Sequence, residues 1–143
     1  MKIIVLNGPN LSRLDLREKN HYGDLTYAQL KAAIEKDGKE LGFEVDVKQS
    51  DNEAELVGWL HEAADSATPV IINPAAFTHY SYAIRDAVSM LKAPVIEVHL
   101  SNPLSREEFR HTSVVSGVVN GTIAGFGSES YALALRAMQN LLR

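Results

Sequence analysis

Three groups of residues in this chain carry side chains able to do chemistry. The first is Glu97-Val98-His99, inside the apolar run from Ala93 to Leu100. Side chains alternate along a strand, so Glu97 and His99 share one face. A carboxylate beside an imidazole fixes its tautomer and raises its basicity, so His99 could act as a general acid at neutral pH. The alternative is a structural pair at a strand end. A metal pair is a third reading, but no His-x-x-x-His or clustered carboxylate motif completes a site. The second group is Arg13, Arg17, His21 and Tyr22. A tyrosine titrates near about 10, so serving as a base at neutral pH requires positive charge that favours tyrosinate. Arg17 precedes Tyr22 closely, and Arg110 is the candidate to approach from the other side. The alternative is an aromatic packed over the Tyr22-Gly23 turn. The third group is Asn7-Gly8-Pro9-Asn10-Leu11 with Asn73-Pro74, where asparagines follow apolar runs. Asn orients a hydroxyl, a carboxylate or a water without bringing charge, although the same letters also spell an ordinary turn.

Around these lie supporting candidates. Ser105 to Thr112 follows the Glu97/His99 strand and holds Arg106 and Arg110 around an acidic pair. Such a run is often a solvated helical turn, but an arginine directed into a crevice would suit a polyoxygenated anion. Thr78-His79 precedes Arg85-Asp86. His79 could bond a substrate hydroxyl or cap a helix, and Arg85-Asp86 could serve a subunit interface. His61 and His111 have no assigned role.

The elements that must position these groups alternate in type. Strands are expected at Lys2 to Leu6, Phe43 to Val47, Pro69 to Ile72, Ala93 to Leu100 and Val118 to Ala124. Helices are expected after Thr26 with Leu30 and Ile34 inward, after the Ser50-Asp51-Asn52 cap, from about His79 to Leu91 with Tyr82, Ala83 and Ala87 inward, and from Glu129 to Leu142. Residues 11 to 25 read as a long loop of the kind that forms a lid. This pattern predicts a single α/β domain over residues 1–143. Its expected form is a flavodoxin-like three-layer sandwich with a five-stranded parallel sheet in the order 2-1-3-4-5. The crevice then falls between strands one and three, with Asn10 and Asn73 at their carboxyl ends.

The bulk numbers narrow the function. A chain of 143 residues, 45% hydrophobic with mean hydropathy -0.10, suits one globular domain. A net charge of -4 with no basic stripe argues against nucleic acid. Without cysteine there is no disulfide, thiolate metal site or cysteine nucleophile. No apolar run approaches spanning length, so no membrane partner and a cytoplasmic location are expected.

Taken in order, these motifs resemble the type II 3-dehydroquinase family. The match is carried by Asn7-Gly8-Pro9-Asn10-Leu11, Arg17-Glu18, Tyr22-Gly23, Gln49-Ser50, Ile72-Asn73-Pro74, Thr78-His79, Arg85-Asp86, Glu97-Val98-His99, Ser101-Asn102 and Arg106 through His111. The resemblance implies loss of water from 3-dehydroquinate to give 3-dehydroshikimate, through an enolate, without metal or organic cofactor. It implies Tyr22 as base, Arg17 as the arginine favouring its ionisation, Asn10 as enolate stabiliser, His99 as acid and Glu97 as its orienting partner. It further implies that Asn73 and the N–H groups of Leu100 and Ser101 bind the substrate carboxylate, and that Arg110 and His79 hold ring hydroxyls. Asp86 would come from a neighbouring subunit, in a homo-oligomer expected to be a dodecamer built as a tetramer of trimers. The same reaction serves aromatic biosynthesis and quinate breakdown.

Three positions depart from the family pattern, two of them in the lid. Its lid commonly reads Leu-Gly-x-Arg-Glu-Pro, where this chain has Leu14-Asp15-Leu16-Arg17-Glu18-Lys19. Many members have glycine at position 75, where this chain has Ala75. Two rival readings remain: a flavin- or nucleotide-binding module, for which Gly8-Pro9 makes a poor phosphate loop, and a non-catalytic oligomeric scaffold.

Overall fold

A computed structural model describes all 143 residues. Five parallel strands, β1 (Lys2–Asn7), β2 (Glu44–Gln49), β3 (Val70–Asn73), β4 (Val95–His99) and β5 (Gly121–Ala124), lie in the order β2-β1-β3-β4-β5. The helices are α1 (Lys19–Tyr22), α2 (Tyr27–Glu40), α3 (Glu53–Ser66), α4 (Tyr82–Ser89) and α5 (Glu129–Leu141). The expected flavodoxin-like order is the one observed.

Alternation along the strands divides the core in two. Ile3, Val5, Ile71, Ile96 and Val98 pack with Leu30 and Ile34 of α2 and with Tyr131, Leu135 and Met138 of α5. Ile4, Leu6, Val70, Ile72 and Val95 pack with Leu56 and Leu60 of α3 and with Ile84 and Val88 of α4. Each layer is sealed by side chains with no solvent exposure. Leu56→Ala would therefore cost about 2–5 kcal/mol in lost burial and cavity. Helix starts follow the capping signals. Thr26 and Gln29 form a reciprocal capping box for α2, and the Asn52 side chain accepts from Ala54 and Glu55 at the start of α3.

Several boundaries differ from expectation. Residues 11–25 are not an unstructured loop: Leu11–Leu16 forms a 3-10 turn and α1 follows. Leu11 and Leu14 are buried, one turn apart, and anchor the segment to the α2/α5 layer. The expected third helix is two pieces, a 3-10 turn over Ala75–His79 and then α4. The Ser81 side chain caps the Ile84 N–H, which starts α4 at Tyr82 and rotates the apolar stripe to Ile84, Ala87 and Val88. Tyr82 and Ala83 therefore face solvent, not the core. β5 starts three residues later than expected, because Ser116–Val118 is a turn and Asn120 bonds both backbone groups of Val95. β1 ends on Asn7 rather than next to Asn10, and Asn7 is the register partner of Asn73. The two strands then diverge through a contact only glycine allows. The Gly8 N–H donates to the Asn73 carbonyl at 2.8 Å, and a Cβ on Gly8 would meet the Pro74 oxygen at 2.6 Å.

Candidate active site

The carboxyl ends of β1, β3 and β4 open into one pocket, covered by the segment after β1 and by the turns after β4. Asn10, Arg17, Tyr22, Asn73, His79, His99, Leu100, Ser101 and Arg110 all line it, as the sequence led one to expect. Glu97 lies behind His99, and Asp86 lies elsewhere, exposed on α4.

Tyr22 is almost buried, and its phenol oxygen is the meeting point of two guanidinium groups. Arg17 Nη2 donates to it, and Arg106 Nη1 donates to it at 2.5 Å. Both guanidiniums also lie over the ring, 4.2 Å and 5.2 Å from its centroid. The second cation is thus Arg106, not Arg110. Arg110 lines the pocket but pairs with Glu107 at 3.2 Å and lies over Phe109. Arg106 also donates to Ser101 Oγ at 3.1 Å, and His111 Nε2 donates to its backbone carbonyl. Its side chain is 6% exposed, and its only ion pair is a loose 3.9 Å contact to the exposed Glu107. A cation this enclosed, with so little anionic compensation, is suited to an anion bound in the pocket. The sequence reading put Arg110 in this place; the side chain that reaches the phenol oxygen is the one four residues earlier.

His99 has its Nε2 2.6 Å from Glu97 Oε2. An ionised carboxylate only accepts, so Nε2 carries a proton and Nδ1 is the nitrogen left for a ligand. Burial by itself pushes the Glu97 carboxyl up. The hydrogen bonds and charge of His99, with the hydroxyls of Ser116 and Thr78, outweigh it and hold Glu97 below the ordinary carboxylate range.

Asn73 is fixed from below. Its Nδ2 donates to the Tyr131 hydroxyl at 2.9 Å, its Oδ1 accepts from the Ala75 N–H at 3.0 Å, and Tyr131 donates on to Asn7 Oδ1 at 2.6 Å. Burial pushes the Tyr131 hydroxyl far above the usual tyrosine value, so it remains a donor. One Nδ2 hydrogen of Asn73 is left to offer the pocket. The Leu100 and Ser101 N–H groups, at the same rim, donate to no acceptor within the protein. Three N–H groups of this kind suit a carboxylate. Tyr131 carries no sequence motif, and only the fold reveals it.

His79 Nδ1 donates to the Thr112 carbonyl at 2.8 Å. Burial pushes this imidazole's titration below its usual value, against the pull of that carbonyl, and His99 and Arg110 add to the lowering. At neutral pH its Nε2 is therefore a bare acceptor, fitted to a hydroxyl proton. His79 does not cap α4, a place taken by Ser81. Asn10 and Ala75 both adopt left-handed backbone, at φ 70° and 51°, which places their backbone turns against the pocket. Asp51 accepts the Asn10 N–H at 2.8 Å. Lid residues that depart from the family pattern find local partners: Asp15 pairs with Arg13 at 3.1 Å and Lys19 with Asp24 at 3.1 Å, both exposed. Nowhere do three or more His, Cys, Asp or Glu side chains gather to hold a metal, and no helix is long and apolar enough to cross a membrane.

A doubly wound parallel sheet with a cation-flanked tyrosine facing a carboxylate-backed histidine across the switch-point crevice defines a class of α/β enzyme. The sequence profile described as "Dehydroquinase class II" matches residues 1–139. The chain is 56% identical over 135 residues to the 3-dehydroquinate dehydratase of Salinispora tropica, covering 94% of each. It is 51% identical over 139 residues to that of Rhizobium meliloti, covering 97% of this chain and 94% of the relative. The solved type II dehydroquinase of Propionibacterium acnes superposes with a TM-score of 0.95 at 55% identity, over 97% of this chain and 96% of that one. The chain belongs to the class II dehydroquinase family.

Proposed function

We propose that this enzyme is a 3-dehydroquinate dehydratase, a hydro-lyase that converts 3-dehydroquinate to 3-dehydroshikimate and water, with tyrosinate as base and histidine as acid. The observation that carries the reading is the Tyr22 oxygen, bonded by two guanidiniums of which one is buried. The substrate carboxylate sits on the N–H groups of Asn73, Leu100 and Ser101, which fixes the ring in the crevice. Tyr22 as phenolate takes the proton from C2, whose acidity comes from the adjacent ketone. The electron pair moves into the enolate, and Asn10, through an ordered water, stabilises the oxygen. The enolate then re-forms the ketone as the C1–O bond breaks. His99 gives its Nδ1 proton to the departing hydroxyl, which leaves as water, while Glu97 keeps Nε2 protonated. Solvent returns the proton gained by Tyr22 to His99, so the net change is one water lost. His79 and Arg110 hold ring hydroxyls. The covering segment at residues 11–25 excludes water during the reaction.

Asp86 acts in the neighbouring subunit's pocket, and the active form is a homo-oligomer, a dodecamer built as a tetramer of trimers. Its exposure on α4 supports this, as do the aromatic side chains Tyr80, Tyr82 and Phe109, each more than half exposed. A flavin or nucleotide reading loses its phosphate donor, since the Gly8 N–H is already spent on Asn73.

The test is purified protein with 3-dehydroquinate and EDTA, following the ultraviolet absorbance of the conjugated product. Product formation at an undiminished rate in EDTA is expected. A folded sample that forms none would overturn the assignment.

A further inference from the structure

Glu97 is the one charged side chain fully excluded from solvent, and no cation touches it apart from His99. Its other neighbours are neutral hydroxyls. Thr78 Oγ1 donates to Oε2 at 2.5 Å, the oxygen that also faces His99, and Ser116 Oγ donates to Oε1 at 2.6 Å. Because the Thr78 proton goes to the carboxylate, Ser113 Oγ must be the donor in its 2.5 Å contact with Thr78. Ser113 is itself set by the N–H groups of Val115 and Ser116, at 3.1 Å and 3.0 Å. Every proton in the chain therefore points toward Glu97. The arrangement solvates the carboxylate without neutralising it. A lysine or arginine in place of these hydroxyls would compete with His99 for the same charge; oriented dipoles do not.

We propose that Ser116, with Thr78 and Ser113 behind it, is a positioning residue for the acid: these hydroxyls hold Glu97 as an aimed anion, so that His99 keeps a proton on Nε2 and presents Nδ1 to the substrate. This rests on the reading of His99 as the acid. Ser116 stands on the turn before β5 and does not line the pocket around Tyr22, so its effect on the reaction passes through Glu97.

The experiment compares Ser116→Ala, Ser116→Thr and Thr78→Val with the unmodified enzyme, using 3-dehydroquinate turnover and NMR of protein labelled with ¹⁵N only at histidine. Ser116→Ala is expected to lower kcat about tenfold, the worth of a hydrogen bond to a charged group, with KM unchanged. Ser116→Thr, which keeps the hydroxyl, recovers most of that loss. Thr78→Val lowers kcat in the same direction and covers the case in which Ser116→Ala does not fold. The His99 Nε2–H signal moves or exchanges faster in Ser116→Ala and Thr78→Val while those of the remaining histidines stay put. Unchanged kcat with an unmoved His99 signal would overturn the proposal, as would an equal loss in Ser116→Thr. If the unmodified protein turns over no 3-dehydroquinate, the functional reading fails, and the His99 signal still decides whether the hydroxyls set its proton.

Discussion

Tyr22 and His99 face one crevice, but their surroundings are built in contrasting ways. Tyr22 stands on α1, outside the sheet, and cations from two segments converge on its oxygen. His99 ends a central strand, and its partner is an anion enclosed by neutral hydroxyls. At the rim, where the chain is wrapped over the sheet, long arginine side chains can reach in and deliver whole charges. Within the sheet there is no room for them, and a charge there is held by short fixed dipoles. The first corner should tolerate small displacements of its cations. The second should fail when a single donor is misplaced, because low dielectric makes each unmet bond costly.

The sharpest way to break the contrast is to remove the base. Tyr22→Phe keeps the ring between the guanidiniums but not the oxygen, and kcat should fall by about 10³-fold or more. Calorimetry with a substrate-like carboxylate should show binding retained; unchanged turnover would remove Tyr22 from the chemistry. Glu97→Gln attacks the other corner. An amide must direct its NH2 either at His99 or at Ser116, both donors, and kcat should fall about 10²-fold with little change in KM. The same variant has a pH signature. The Glu97 carboxyl titrates below the ordinary range in the folded protein, so on acidification the unfolded chain takes up that proton first. Its contribution to stability is complete at neutral pH, and is lost as pH falls from the ordinary glutamate value through the lower folded one. Plots of Tm against pH should be shallower for Glu97→Gln in that window, and parallel plots would show that the anion adds nothing.

Arg106→Met should lower kcat by about tenfold to a hundredfold, and Arg106→Lys by less, since a point charge can still reach the phenol oxygen. An equal loss in both would argue that geometry, not charge, matters at that corner. The smallest effect belongs to Tyr131→Phe. Loss of its hydroxyl frees Asn73 to rotate, so KM should rise about threefold with kcat nearly unchanged, and stability should drop by about 1–3 kcal/mol from the unmet Asn7 and Asn73 groups. Steady-state kinetics and thermal unfolding of one preparation check both.

Parts of this arrangement were open to reading from sequence because they are local. Glu97 and His99 share a face by strand periodicity alone, and the strand order follows from alternating elements. Arg110 was read into the place that Arg106 holds, since which of two residues one turn apart reaches inward depends on where the 3-10 turn over Glu108–His111 sits. Tyr82 was misplaced because the helix does not run on from His79: a separate 3-10 turn ends there, and α4 starts afresh at Tyr82 with its own apolar stripe. Ser113, Ser116 and Tyr131 left no mark at all, and Thr78 only as the neighbour of His79: hydroxyls are common, and their meaning here comes from what the fold puts beside them.

The hydrogen bond from Arg106 to Tyr22 joins residues 84 apart in the chain, and the one from Tyr131 to Asn7 joins residues 124 apart. Contacts this distant close late in folding, after the local helices and the first strand pairs. Asn7 leaves the ribosome well before Tyr131 and must wait for α5 before its oxygen has this donor. A nascent chain, or one shortened ahead of Tyr131, would have most of its secondary structure and an unfinished pocket. Its activity should therefore switch on only with the final helix, which makes turnover a reporter of complete folding.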